Sequence, residues 1–139
     1  MLNSPNQDRP NNTSIRYSIS RATDYVVAQG TSGDWNYIKF ANGLAIVSGT
    51  TTVSATISNM WGGVYETTNS YYANYPITFS EIPVCTMGIV SSNGVISGIE
   101  FGEGASTTRT PKFWLMRFVT GGEAIYIADV GIIAVGRWK

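Results

Sequence analysis

The alternation of apolar and polar positions is sharpest between residues 35 and 49, where two β-prone runs flank an Asn42-Gly43 pair. Successive side chains of a strand point to opposite faces. In the first arm Trp35, Tyr37 and Lys39 therefore point one way, and Asn36, Ile38 and Phe40 the other. In the second arm Leu44, Ile46 and Ser48 oppose Ala45, Val47 and Gly49. Asn and Gly tolerate φ > 0 at both central positions, so the pair predicts a hairpin closed by a two-residue type I′ turn. Bulky side chains on both faces place this hairpin in the interior of a sheet.

The same reading carried along the chain predicts strands and turns throughout. Residues 25–28 form a short strand closed by the turn 30–33, and residues 50–57 either continue the second arm or form a further strand. The segment 60–66 bends at Gly62-Gly63, where glycines permit close backbone approach. Strands at 76–79 and 84–90 lead through Asn93-Gly94, a second turn, into a strand at 95–101. Residues 112–119 alternate cleanly, with Phe113, Leu115, Arg117 and Val119 opposing Lys112, Trp114, Met116 and Phe118. Gly121-Gly122 then turns the chain into residues 124–128, and 130–135 form the last strand. No segment sustains the i, i+3, i+4 apolar spacing of a helix. About ten strands at roughly 8–12-residue spacing predict an all-β sandwich or barrel.

Residues 1–22 differ. They are polar, Pro5 and Pro10 break any helix, and only Ile15, Tyr17 and Ile19 alternate, enough for one short strand at 14–20. This stretch reads as a flexible arm or a connector to a stalk, leaving 23–139 as the single domain.

Composition narrows the chemistry. Charged residues make up 13% of the 139-residue chain, about half of the usual share of roughly 25%. Nine basic and nine acidic residues cancel. Without a basic stripe the chain offers no nucleic-acid surface and no polybasic membrane patch. No apolar run approaches the roughly 18 residues of a membrane helix, so no membrane insertion is expected. The lone Cys85 sits in an apolar run and reads as a buried, inert thiol.

The chain contains no histidine, which removes the commonest general base and the commonest metal ligand together. No Cys/His pair or calcium-loop pattern occurs, so neither a metal nor another cofactor is expected. The carboxylates Asp24, Asp34, Asp129, Glu66, Glu81, Glu100, Glu103 and Glu123 show no spacing that marks a catalytic pair. Glu100 reads as the end of a strand and Glu103 as a loop residue, both as solvated acids. The glycine-dense run 98–104 lacks the Lys-Ser/Thr end of a phosphate loop and reads as a turn. The expectation is a protein that is not an enzyme.

Binding is better supported. Aromatic residues make up 12% of the chain, several of them beside turns. Tyrosine and tryptophan offer flat faces with a polar tip, suited to stacking on sugar rings, while Asn, Glu and Arg hydrogen-bond hydroxyls. Glu66 and the following loop residues Asn69, Tyr71, Tyr72 and Asn74 have this mixture, and the loop 104–110 adds Arg109. These six are the candidate saccharide-binding residues. Alternatively Tyr71, Tyr72 and Tyr75 pack on the sheet or on a neighbouring subunit. Trp35, Trp61, Trp114 and Trp138 are assigned to core or interface.

The run Asp24-Tyr25-Val26-Val27-Ala28-Gln29-Gly30-Thr31-Ser32-Gly33, with Trp35-Asn36-Tyr37-Ile38-Lys39-Phe40 and the Asn42-Gly43 turn, resembles an opening found in tail-associated proteins of phages and prophages of Gram-positive bacteria. The ending Ala134-Val135-Gly136-Arg137-Trp138-Lys139 resembles their closing strand, and Tyr75-Pro76-Ile77-Thr78-Phe79 with Ile82-Pro83-Val84 is similar to a strand pair of phage fibre tips. The family pattern carries Trp at the position of Phe40 and a Glu-Cys-Trp-like run where this chain has Ile46-Val47-Ser48; the hairpin survives both departures. The resemblance implies the carboxy-terminal head of a tail fibre or baseplate protein: an antiparallel, jelly-roll-like β-sandwich that forms a homotrimer and binds host cell-wall saccharide. It further implies residence at the phage tail tip in the virion, assembly in the bacterial cytoplasm, release by lysis, and contacts to other tail proteins through the amino-terminal arm. The other readings are a structural virion module without a receptor and, more remotely, a polysaccharide-degrading enzyme using Glu100 or Glu103.

Overall fold

In a computed structural model, which describes residues 24–139, the hydrophobic alternation resolves into nine strands and no helix among the described residues. The arm assigned to 1–22 and its strand at 14–20 lie outside the described residues. The strands are β1 (Val26–Ser32), β2 (Trp35–Phe40), β3 (Leu44–Ala55), β4 (Ile57–Trp61), β5 (Val64–Thr67), β6 (Val84–Ser92), β7 (Gly98–Phe101), β8 (Phe113–Arg117) and β9 (Tyr126–Arg137). They form two antiparallel sheets, one of five strands in the order β1-β2-β3-β9-β6 and one of four in the order β4-β5-β8-β7. The expected all-β fold of about ten strands is thus present as nine.

The hairpin at 35–49 lies within the five-stranded sheet, with β1 and β9 on either side. Its turn differs from the expectation. Lys39 pairs with Ala45, and Gly43 N–H donates to the Phe40 carbonyl at 3.0 Å, so three residues, not two, close the loop. Asn42 keeps a negative φ, and only Gly43 is left-handed, at φ 94. The Asn42 side chain decides this by accepting a hydrogen bond from Leu44 N–H at 2.9 Å, a local bond that Asn side chains readily make in turns. Two-residue loops occur instead at Gly33-Asp34 and Gly62-Gly63, between the pairs Ser32↔Trp35 and Trp61↔Val64.

Residues 50–55 continue β3, which pairs along its whole length with β9. Two strand expectations are corrected, and two of the expected turns prove to be crossovers between the sheets. Asn93-Gly94 does not close a hairpin: Asn93 is tied to β9 by its side chain, which accepts from Ile127 N–H and donates to the Ile125 carbonyl, and the chain crosses to the other sheet. The strand expected at 95–101 begins only at Gly98. Gly121-Gly122 does turn the chain, with Ala124 N–H donating to the Gly121 carbonyl at 3.2 Å, on the crossover from β8 in one sheet to β9 in the other. No strand forms at 76–79. There the chain is held by single bonds, Phe79 N–H to the Thr107 carbonyl and Ser80 N–H to the Arg137 carbonyl.

The inner faces of the two sheets make the core. Phe113 and Leu115 of β8 and Ile57 of β4 meet Val53, Ala128, Val130 and Ile132 from the larger sheet. A second cluster joins Ala45, Val47 and Ala134 to Tyr75 and Phe79 from the irregular segment. Trp35 touches both clusters, and its ring meets Tyr75 edge-on at 6.0 Å, which in turn meets Phe79 at 5.3 Å. This aromatic chain anchors the loop that carries the candidate tyrosines. Cys85 is half-buried beside Tyr75, and burial raises its thiol pKa, so the unreactive thiolate-poor state is favoured.

Candidate functional site

The outer face of the four-stranded sheet gathers most of the polar chemistry. Residues 71–75 run antiparallel to 108–113, with Tyr71 and Phe113 exchanging backbone hydrogen bonds of 2.8 Å and Tyr75 N–H donating to the Thr108 carbonyl at 2.9 Å. Alternation along this ladder turns Tyr71, Ala73 and Tyr75 inward. The Tyr71 ring lies 6.1 Å from Phe113 at the core edge. Tyr72 and Asn74 are exposed.

Asn74 bridges to Arg109, and the Arg109 guanidinium stands 5.1 Å from the centre of the Tyr72 ring. Arg109 Nε donates to the Gly104 carbonyl at 3.0 Å. Among the described residues the other N–H donors of this guanidinium, held over an exposed ring, make no hydrogen bond, and they have the fork geometry suited to hydroxyl or carboxylate oxygens. Asn69 is exposed in the preceding loop, where its carbonyl accepts from the buried Thr67 hydroxyl at 2.9 Å. Of the six candidates, Tyr72, Asn74 and Arg109 meet, Tyr71 supports them from below, and Asn69 stands apart.

Glu66 falls elsewhere on the same outer face. It lies in a cleft of about 240 Å³ lined by Trp61, Glu66, Glu100, Phe101, Gly102 and Trp114. Pairing of β5 with β8 and of β8 with β7 sets Glu66 beside Met116 and Glu100 beside Trp114, so the two carboxyl groups share one face and approach diagonally across β8. Asn59 Nδ2 donates to Glu66 Oε1 at 3.3 Å. Burial raises the Glu66 pKa, and the nearby Glu100 carboxylate raises it further, against the opposing Asn59 bond. Glu100 Oε2 is buried without a hydrogen-bond partner.

The glycine run 98–104 is therefore mostly strand β7, with the turn confined to Gly104 at φ 89. Its glycines make room for the large side chains of β8. A Cβ on Gly102 would come 2.5 Å from Trp114 Cζ3, and one on Gly98 would come 2.8 Å from Met116 Cε. Trp61 is not a core residue, being 58% exposed. Glu100 and Asn59 carried no local signal in the sequence. Only the strand order β4-β5-β8-β7 brings them to Glu66.

The outer face of the five-stranded sheet is different in kind. A shallow groove of about 540 Å³ crosses it, lined by residues that include Ser48, Thr50, Gly88, Val90, Gly131 and Ile133. Val84, Val90, Ile127, Ile133 and Val135 are exposed there. Near its end the Asp129 carboxylate accepts 2.7 Å bonds from the Thr52 and Ser91 hydroxyls, which lower its pKa. Among the described residues no cluster of three or more His, Cys, Asp or Glu could hold a metal ion, and no helix is long and apolar enough to cross a membrane.

Against known structures, the chain superposes on the C-terminal part of the R2 pyocin fibre of P. aeruginosa with a TM-score of 0.55 over 93% of its length, at 17% identity. An amino-terminally truncated R1-type pyocin tail fibre matches at a TM-score of 0.52 and 16% identity over 93% of this chain. The fold is similar to that of pyocin tail fibres. A C-terminal R1 pyocin fibre fragment of P. aeruginosa agrees, at a TM-score of 0.51 and 15% identity over 92%. The chain spans 30% and 32% of the two P. aeruginosa fragments and 98% of the truncated R1-type fibre. The Gram-positive part of the sequence resemblance draws no support from these fibres. No protein-family profile matches the chain, and no curated protein does.

Proposed function

We propose that this chain is the head of a tail-fibre or baseplate protein of a phage or phage-like particle, and that it recognises a saccharide on the host surface. The observation that carries the reading is the tail-fibre fold over 93% of the chain, combined with an exposed cluster of Tyr72, Asn74 and Arg109 on its outer face. Tyr72 would stack on a sugar ring and Arg109 and Asn74 would hydrogen-bond its hydroxyls. Asn69 extends the polar rim, Tyr71 positions the loop, and Glu66 marks a second subsite on the same face. The protein works by binding, without catalysis.

Recognition of this kind is weak per site and gains from repetition. We assign the chain to a homotrimer at the tail tip of the virion, assembled in the bacterial cytoplasm and released by lysis, with residues 1–22 joining it to other tail proteins. The outer face of the five-stranded sheet fits the seam with a second copy. There Val84 and Ile133 are 73% and 51% exposed, and contiguous apolar patches of this sort mark interaction surfaces.

The test is retention of the purified chain on isolated envelopes from a panel of bacteria, before and after periodate oxidation of their glycans. Retention on some envelopes that is abolished by periodate supports the reading. Retention that periodate leaves intact, or none on any envelope, contradicts it. Sedimentation at the mass of one chain would separately remove the trimer.

A further inference from the structure

The cleft on the four-stranded sheet brings two carboxyl groups together with no basic side chain in its lining. Glu66 is 9% exposed; burial raises its pKa, the Asn59 amide bond opposes this, and the Glu100 carboxyl, within hydrogen-bonding reach, raises it further, while no lysine or arginine lines the cleft. Glu100 Oε2 is buried with no hydrogen-bond donor among the described residues, the Glu66 carboxyl lying beside that of Glu100. Leaving a carboxylate oxygen buried and unpaired costs free energy, since its hydration is lost and nothing replaces it. Such a group in a folded protein calls for an explanation, and a bound partner is one of them.

The walls say which partner. Trp61 and Trp114 line the cleft together with Phe101, and Gly102 leaves the space into which the Trp114 ring fits. Aromatic faces attract organic cations, and they are the usual surroundings of bound quaternary ammonium groups. A hard metal ion is disfavoured, because calcium takes six to eight oxygens and indole walls supply none. A neutral sugar would leave the charge of the carboxyl pair uncompensated, and an anion would be repelled. At about 240 Å³ the cleft falls below the roughly 300–1,000 Å³ of drug-sized sites, so it suits one headgroup or a single ring.

We propose that the cleft binds an organic ammonium group, with Glu66 and Glu100 as counter-charges and Trp61 and Trp114 as its apolar walls. The group could belong to an amino sugar or to a quaternary ammonium substituent on a surface polymer. This site is separate from the Tyr72–Arg109 cluster and stands whether or not that cluster meets a host.

The test titrates the intact chain at constant ionic strength with glucosamine, tetramethylammonium, N-acetylglucosamine or calcium chloride, following tryptophan fluorescence and binding heat. Saturation by glucosamine or tetramethylammonium, with no response to N-acetylglucosamine, is the expected result, and the tighter of the two identifies the source. Glu100→Gln should weaken that binding about tenfold or more while circular dichroism stays unchanged, and Glu66→Gln should act in the same direction. The proposal is overturned if neither ammonium compound saturates, if N-acetylglucosamine binds equally well, if calcium alone titrates, or if both glutamine variants bind like the parent.

Discussion

Replacing Gly49 by alanine adds one methyl group at a place with no room for it. Trp35 and Gly49 are directly opposed on β2 and β3, and the indole lies over the glycine. A Cβ at Gly49 would stand 2.4 Å from Trp35 Cδ2 and 2.5 Å from Cε3. The φ of Gly49 is not positive, so the cost is steric rather than conformational. Both nearest atoms belong to a rigid ring that touches both core clusters, so the ring must move as a whole. Overpacking a core costs about 1–3 kcal/mol. Displacing the ring also weakens its edge-on contact with Tyr75, a type of contact worth about 0.5–1.5 kcal/mol. Against this, alanine recovers about 0.4–1 kcal/mol by restricting the unfolded chain. The net is a loss of about 2 kcal/mol. Gly88 is the control, because a Cβ there meets nothing within 4 Å, so Gly88→Ala should change stability by less than about 1 kcal/mol in either direction. Urea unfolding of the three proteins, followed by fluorescence, reads the difference as a shift in midpoint at constant slope. A Gly49→Ala midpoint equal to the parent's would refute the packing argument. Tyr75 shares its segment with Tyr72 and Asn74, so the same variant should also lower the near-ultraviolet dichroism of the loop tyrosines.

Other outcomes follow from the same geometry. Phe113→Ala empties a fully buried site between the two sheets and should cost about 3–5 kcal/mol in the same unfolding assay. Glu66 has a folded pKa raised above the ordinary 4.5, so its contribution to stability is full below that value and is lost as pH rises through the raised pKa. Glu66→Gln should therefore flatten the fall in stability on the alkaline side of 4.5, measured as urea midpoints across the acid range. Asp129 has a lowered pKa and works in the opposite sense, so Asp129→Asn should remove stability at neutral pH and little in strong acid. Cys85, half-buried with a raised pKa, should react with a thiol reagent much more slowly than free cysteine at pH 8, and at the free rate once the chain is unfolded.

Features set by one strand were legible in the sequence, and features set by pairing between distant strands were not. The alternation at 112–119 correctly separates Phe113 and Leu115, both fully buried, from Trp114 and Met116. The interior position of the 35–49 hairpin also follows from its two bulky faces. The type of its turn does not, because Asn42 had two ways to use its side chain and the bond to Leu44 N–H favours the three-residue loop. Asn93-Gly94 looks the same in sequence, yet Asn93 is claimed by β9, more than thirty residues away. Residues 76–79 have strand-like composition but lie where no neighbouring strand offers a full ladder. At the candidate site, Tyr72, Asn74 and Arg109 could be grouped by residue type. The approach of Glu66 to Glu100 could not, since they are 34 positions apart and meet only through β8.

The most direct measurement of the central claim is binding of the intact chain and its Arg109→Ala variant to an array of bacterial surface polysaccharides. Arg109 is half-exposed, and its loop is held by backbone bonds from Tyr75 N–H to the Thr108 carbonyl and from Thr110 N–H to the Ala73 carbonyl, so the variant should fold. The parent should bind a restricted set of saccharides, and the variant should lose about tenfold or more in affinity for them, as removal of a charged hydrogen-bond donor causes. Equal binding by parent and variant, or no saccharide bound by either, would contradict it.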